Sequence, residues 1–337
     1  MDARLIPLLQ LVAPAISLGL VLLLGRPAIA LLGKVGAVQR VRDDGPQRHL
    51  QKEGTPTMGG VLILPAAVIA MGVGGLLARL WSSAEGVLLP AVPALVLGVA
   101  LAFAAIGLLD DWLKITRGRS LGLRARQKLA LQVAGAIAFY LAILWLGRSE
   151  IGELVRVSPR RVVGAFALGG VVSTLVIVAT ANAVNLADGL DGLAAGLCTI
   201  AFVALAVIAM GRPIGLVVTM PALSLAGACL GFLWFNRHPA KVFMGDVGSL
   251  ALGAALAALT LFLGVWVLIG VCLVPFLEEA SVIAQVISFK STGKRIFKMS
   301  PIHHHFELMG WSERKVVWTF WGVGAAAAAV TVWAYLR

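Results

Sequence analysis

Apolar runs of about 20 residues recur along the whole chain, and the short stretches between them carry nearly all of the charge. A helical run of that length crosses the roughly 30 Å hydrocarbon core of a bilayer. The pattern predicts ten spans: Ile6–Leu32, Met58–Leu80, Val87–Leu109, Leu129–Leu146, Val162–Ala183, Leu193–Met210, Leu216–Phe235, Leu250–Leu263, Trp266–Phe289 and Val316–Leu336. Each is uniformly apolar rather than alternating, so helices are expected and not barrel strands. The eighth and ninth are divided at Leu263–Gly264, and Pro275 is expected to break the ninth. The first run passes uninterrupted through Pro14 and Gly19 to Leu32, which argues against a cleaved signal. The expected fold class is an all-α polytopic membrane protein, with residues 1–337 forming one integral membrane domain.

Composition agrees with the pattern: 60% hydrophobic, 13% charged, mean hydropathy +0.95. Soluble domains carry nearer a quarter charged residues, so no sizeable soluble domain is expected. Lys and Arg set the orientation. Nineteen of them, from Lys34 to Lys315, fall in loops on one side, against eight on the other, with Arg26 inside the first span. The richer side is expected to face the cytoplasm, with both termini periplasmic. The net charge of +12 reflects this bias and attraction to anionic lipid. Nucleic-acid binding is not expected, because no basic soluble module is present to carry it. Cys198, Cys229 and Cys272 fall in apolar spans without disulfide or metal spacing. No internal repeat appears.

Five acids stand out because carboxylates beside a bilayer are costly unless they meet a cation or a charged ligand. They are Asp110 and Asp111 in GLLDDWLK, Asp188 and Asp191 in NAVNLADGLDG, and Asp246 in FMGDVGS. All fall at cytoplasmic ends of spans, as do His49, His238, His303, His304 and His305. Asp110 and Asp111 end the third span; pointing about 100° apart on a helix, they are expected to do different jobs, unless they are a solvated cap opposing the helix dipole. Asn182, Asn185, Asp188 and Asp191 recur every three residues and would form one polar stripe, suited to a base, a ribose or a hydrated cation. The alternative is a cap and turn for the next span, with Asp191 as the cap. Asp246 lies between glycines that let backbone approach a ligand, and Ser249 would cap the next helix.

His303–His305 lie mid-chain and have poor spacing for zinc. With Lys290, Lys294, Arg295 and Lys298 upstream they read as an anion-binding lid, or as a basic patch against lipid headgroups. Glu278 and Glu279 lie mid-span after Pro275. They suit a proton-coupled transporter, or a half-helix turned toward a cytoplasmic cavity. The transporter reading is weakened because the other acids gather at one membrane face. Oxygen donors without soft ligands favour Mg2+. No Walker loop and no GxGxxG after a strand occur. Phosphoryl transfer from a nucleotide-diphosphate substrate to a lipid fits this set.

On these residues the chain resembles the phospho-N-acetylmuramoyl-pentapeptide transferases, in the polyprenyl-phosphate N-acetylhexosamine-1-phosphate transferase superfamily. The matching stretches are KEGTPTMGG, GLLDDWLK, RQKLALQ, NAVNLADGLDGLAAG, FNRHPAKVFMGDVGSLALG and SPIHHHFELMGWSERKVV, spread from Lys52 to Val317. The SPIHHHFE stretch separates this branch from siblings that transfer GlcNAc-1-phosphate. The resemblance implies a ten-helix homodimer in the bacterial inner membrane that carries out the first membrane step of peptidoglycan synthesis at the cytoplasmic face. Undecaprenyl phosphate would attack UDP-MurNAc-pentapeptide in the presence of Mg2+, giving lipid I and UMP. It makes Asp246 the expected Mg2+ ligand, with Asp110 and Asp111 as further candidates and as the catalytic pair. Asp110 would deprotonate the lipid phosphate, or an Asp would act as covalent nucleophile. Asn185, Asp188, Asp191, Asn236 and Phe243 match the nucleoside side, and the polar stripe adds Asn182 as a candidate substrate-binding residue. Lys52, Thr57, Lys128, His303, His304 and His305 match phosphate-proximal positions.

Overall fold

The computed structural model describes residues 5–38, 52, 54–81, 91–118, 122–146, 162–210 and 215–337. His49 lies outside them, as do Arg4, Arg40, Arg42, Arg48, Arg119, Arg148, Arg156, Arg160, Arg161 and Arg212 of the orientation count.

Helices account for most of the described residues: α1 (Leu5–Lys34), α2 (Gly60–Trp81), α3 (Ala91–Arg117), α4 (Ala125–Leu146), α5 (Val162–Ala187), α6 (Leu193–Met210), α7 (Gly215–Asn236), α8 (Gly245–Leu263), α9 (Val265–Val271), α10 (Leu273–Thr292), α11 (Ile302–Leu308) and α12 (Glu313–Leu336). Nine are long and apolar enough to cross a membrane. The pair α9 and α10, bent by 84°, makes a tenth if counted as one broken span. The ten-span reading of the sequence is this set.

The division at Gly264 is real, since this residue takes φ +120° between α8 and α9. The break in the ninth span falls at Cys272, three residues before Pro275. Pro275 sits in the first turn of α10, where a missing N–H removes no helical hydrogen bond.

Helix α8 is the axis of the bundle: 83% of its length is buried, against 17% for α4 at the edge. It packs on α3 and α5, while α7 packs on α1 and α6, and α12 on α6. Lipid tails are as apolar as the helix surfaces, so close van der Waals contact holds such a bundle together. The small residues Gly248, Ala251, Gly253, Ala254 and Ala255 let neighbours approach α8. A Cβ on Gly107 of α3 would meet the backbone of Asp246 and Val247 directly. That crossing brings the acids of α3 to the start of α8.

Candidate active site

The helices run further than their apolar stretches. Helix α3 continues past Leu109 to Arg117, with Lys114 and Arg117 in its last turn, where cations suit the dipole. Asp110 and Asp111 therefore lie inside the helix rather than at a frayed cap. Lys114 follows them by four and three residues, the spacing that pairs side chains on one helix face. Helix α8 begins at Gly245, five residues earlier than expected, so Asp246 sits in its first turn, where a carboxylate is favoured. Gly245 adopts φ +73°, and a Cβ there would crowd the Asp111 carboxylate. Ser249 is not the cap: it lies a turn inside α8 and donates to Gly245 O at 3.0 Å.

Three carboxylates converge at this crossing. Lys114 Nζ lies 2.7 Å from Asp110 Oδ2, 3.2 Å from Asp111 Oδ1 and 3.0 Å from Asp246 Oδ2. Lys128, in the first turn of α4, reaches the same Asp246 oxygen at 2.6 Å. Asn185 Nδ2 donates to Asp246 Oδ1 and to Ser249 Oγ, each at 2.8 Å. The two neighbouring acids do differ in their second oxygen. Asp110 accepts from the Leu123 N–H at 2.7 Å, and Asp111 from the Val247 N–H at 3.2 Å.

Ligand oxygens of Asp110, Asp111 and Asp246 lie within 4.8 Å of one another. This all-oxygen set suits a hard cation such as Mg2+. An ammonium already sits where the three meet, so the field there favours positive charge. Three carboxylates and two lysines carry a net −1 when all are ionised. A divalent cation would turn that to +1 and make the site attractive to a diphosphate.

A second ionic cluster lies along the same stripe. Lys52 Nζ is 2.7 Å from Asp191 Oδ1 and 2.6 Å from Glu313 Oε1, with the Phe243 ring centroid 6.0 Å away. Asp191 Oδ2 accepts from the Ala240 N–H at 3.0 Å and lies 3.1 Å from His238 Nδ1. Asp191 is thus an ionic partner and not a helix cap. Burial works against the Lys52 charge, but Glu313 and Asp191 outweigh it and raise its pKa above the ordinary lysine value.

The every-third-residue stripe therefore joins the two clusters. Asn185 reaches into the acid cluster and Asp191 into the lysine cluster. Asp188 lies between them. Desolvation pushes its carboxyl well above the ordinary range; repulsion from Asp246 and Asp111 adds to this, against an opposing Gly245 N–H. Asn182 does not join the group, because its amide pairs with Gln132 of α4 at 2.7 Å.

Other predicted residues take supporting places. Asn236 is buried and spends its amide on backbone, accepting from Gly192 N–H at 3.1 Å and donating to Val242 O at 2.9 Å. Thr57 lies in a segment paired to the chain before α8: Phe243 N–H donates to Pro56 O at 2.8 Å, and Gly59 N–H to Phe243 O at 2.8 Å. The histidine run forms the short helix α11. His303 is fully buried, its Nδ1 3.1 Å from Glu278 Oε2 without hydrogen-bond alignment. His304 Nδ1 meets Glu307 at 2.8 Å, and His305 Nδ1 accepts from Lys298 N–H at 3.2 Å. The run is packed structure at His303, not an open lid of three imidazoles. Glu278 turns inward from α10 to meet it, whereas Glu279 is half-buried.

Sequence reasoning did not place Lys114, Gln132, His238, Ser249 or Glu313 in the site. The three- and four-residue spacing from Asp111 and Asp110 is a signal for Lys114. Spacing gives none for Glu313, whose partner Lys52 is 261 positions away; its one signal is its place in the SPIHHHFELMGWSERKVV stretch.

The profile of glycosyl transferase family 4 matches residues 93–264, and a phospho-N-acetylmuramoyl-pentapeptide-transferase signature matches residues 52–64. The chain is 46% identical over 339 aligned positions to the phospho-N-acetylmuramoyl-pentapeptide-transferase of Desulforudis audaxviator, covering 95% of this chain and 96% of that protein. The protein of the same name from Moorella thermoacetica is 47% identical over 314, covering 91% and 92%. That from Thermosynechococcus vestitus is 44% identical over 336, covering 97% and 85%.

Proposed function

The chain belongs to the phospho-N-acetylmuramoyl-pentapeptide-transferase family, and from that premise we propose that it transfers phospho-MurNAc-pentapeptide from UDP-MurNAc-pentapeptide to undecaprenyl phosphate. The transfer itself, as a step of peptidoglycan synthesis, comes with the family. The observation that supports the finer reading is the convergence of Asp110, Asp111 and Asp246 on Lys114, one stripe of side chains away from Lys52 and Phe243.

In this reading an oxygen of the lipid phosphate attacks the phosphorus bonded to the sugar. A new P–O bond forms, the bond to the bridging oxygen breaks, and UMP leaves with its electron pair. Asp246, with Asp110 and Asp111, would hold Mg2+, which neutralises diphosphate charge when bound. Asp110 is the base for a protonated lipid phosphate. Asp111, fixed by the Val247 N–H, keeps the start of α8 in register with α3. Lys128 offers its ammonium to the phosphates beside Asp246, and Lys52 does so from the nucleoside side. Phe243 stacks on uracil, Asp188 and Asp191 face the nucleoside, and Asn236 holds the Gly192 and Val242 backbone behind it. Asn182, through Gln132, fixes α4 and with it Lys128. Thr57, His304 and His305 border the phosphates, and His303 packs behind them against Glu278. The protein works as a homodimer in the bacterial inner membrane, with this site facing the cytoplasm.

The test is UMP release by purified protein given Mg2+, undecaprenyl phosphate and UDP-MurNAc-pentapeptide. Release is expected, and EDTA should abolish it. UMP release from UDP-GlcNAc in place of the muramoyl substrate would move the chain to the sibling branch. No release from either would refute the reading.

A further inference from the structure

Glu313 opens α12 and touches three separate loops. Its Oε1 takes Lys52 Nζ at 2.6 Å and the backbone N–H of Asp191 at 2.7 Å, and its Oε2 lies 3.3 Å from His238 Nδ1. The carboxylate stands on a firm base. Ser312 caps the helix, accepting from Lys315 N–H at 3.3 Å, and Trp321 one face further along donates to Leu193 O at 3.2 Å. The three loops, by contrast, contribute long or turn-borne groups. A lysine arm has many rotamers to lose, and two carboxylates at 2.7 and 2.6 Å hold this one still.

Charge balance alone does not explain the arrangement. Asp191 is enough to neutralise Lys52, and the second carboxylate leaves the pair of acids in excess. What Glu313 adds is geometry: one side chain on a long helix sets the distance from Lys52 to Asp191 and fixes the turn that carries Asp191.

We infer that Glu313 is a positioning residue for nucleotide binding, holding Lys52 and Asp191 in the register that receives a uridine diphosphate. The inference rests on the proposed assignment of this cluster to the nucleotide. It names a residue near the end of the chain, outside the acid motifs, as a determinant of nucleotide affinity.

Calorimetry with UDP and Mg2+ on the full-length purified protein tests it. Glu313→Gln keeps the shape and an acceptor for the Asp191 N–H but loses the charge on Lys52. It should weaken UDP binding about tenfold. Lys52→Ala should weaken it as well. The double variant should bind no more weakly than Lys52→Ala alone, because Gln keeps the Asp191 contact and Glu313→Gln removes only the charged hold on Lys52; a general loss of fold would instead add. Should Glu313→Gln fail to fold, Glu313→Asp, which keeps the charge but withdraws it from both Lys52 and the Asp191 N–H, should weaken UDP binding as well. Wild-type affinity in the Glu313 variants, or additive losses in the double variant, would overturn the inference. A normal affinity in Lys52→Ala alone would remove the Lys52 assignment and the inference with it. No UDP binding by the unsubstituted protein would refute the nucleotide reading itself.

Discussion

Asp246 takes three neighbours on two oxygens: Lys114 and Lys128 on one, Asn185 on the other. Asp246→Asn keeps the volume and removes the charge. Asp110 and Asp111 still neutralise Lys114, so the fold should survive. Turnover should fall by about 100-fold or more, the scale for losing one preorganised electrostatic group, and Mg2+ titration should no longer restore it. UMP release measured across Mg2+ concentrations checks this, and full activity in the variant would end the metal role of Asp246. The acids were legible in the sequence because a carboxylate at a membrane edge is expensive, so its presence signals a purpose. The partners were legible only where spacing along one helix carries them. Lys114 follows the acid pair by a helical turn, whereas Glu313 and Lys52 meet across the whole chain. Asn236 shows the opposite limit: its residue type suits a nucleoside, but its amide is spent on the backbone.

Hydropathy locates the membrane and not the end of a helix, and the candidate site of this molecule lies in the difference. The apolar rule stops at the first charge. Helix α3 goes on to Arg117, α5 to Ala187, and α8 starts at Gly245, because their polar side chains find partners on adjacent helices. The acid cluster is therefore carried by helix termini, which hold geometry better than free loops. That precision depends on how closely α3 and α8 cross. Gly107→Ala would press a methyl group against the Asp246 backbone. Overpacking of this kind costs about 1–3 kcal/mol, and the crossing should relax by separating the helices. We expect a lower thermal midpoint together with a loss of turnover larger than the fraction unfolded explains. A variant with a lowered midpoint but undiminished turnover at low temperature would show that the crossing does not set the site. The bend at Cys272 follows the same logic. Pro275 marked the broken span in the sequence, but a proline tolerated in a first turn points to a break upstream of itself.

Orientation is a property of the whole chain, and it decides which substrates the site can meet. Both ionic clusters lie at the ends of α3, α5 and α7 and the starts of α4, α6, α8 and α12, so they share one end of the bundle. The basic bias predicts that this end faces inward, where the proposed nucleotide substrate would meet it and a lipid phosphate would reach it from the same leaflet. The three native cysteines are buried, which leaves a quiet background for labelling introduced ones. Lys241 is exposed in the loop beside Asp191, and Arg337 is exposed at the far end of α12. With a membrane-impermeant maleimide, Arg337→Cys should react in cells with a permeable outer membrane and an intact inner one. Lys241→Cys should react only after the inner membrane is opened. The reverse pattern would put the carboxylates on the outer face, where no pool of nucleotide-activated sugar exists, and the proposed reaction could not run there whatever the geometry of Asp110, Asp111 and Asp246.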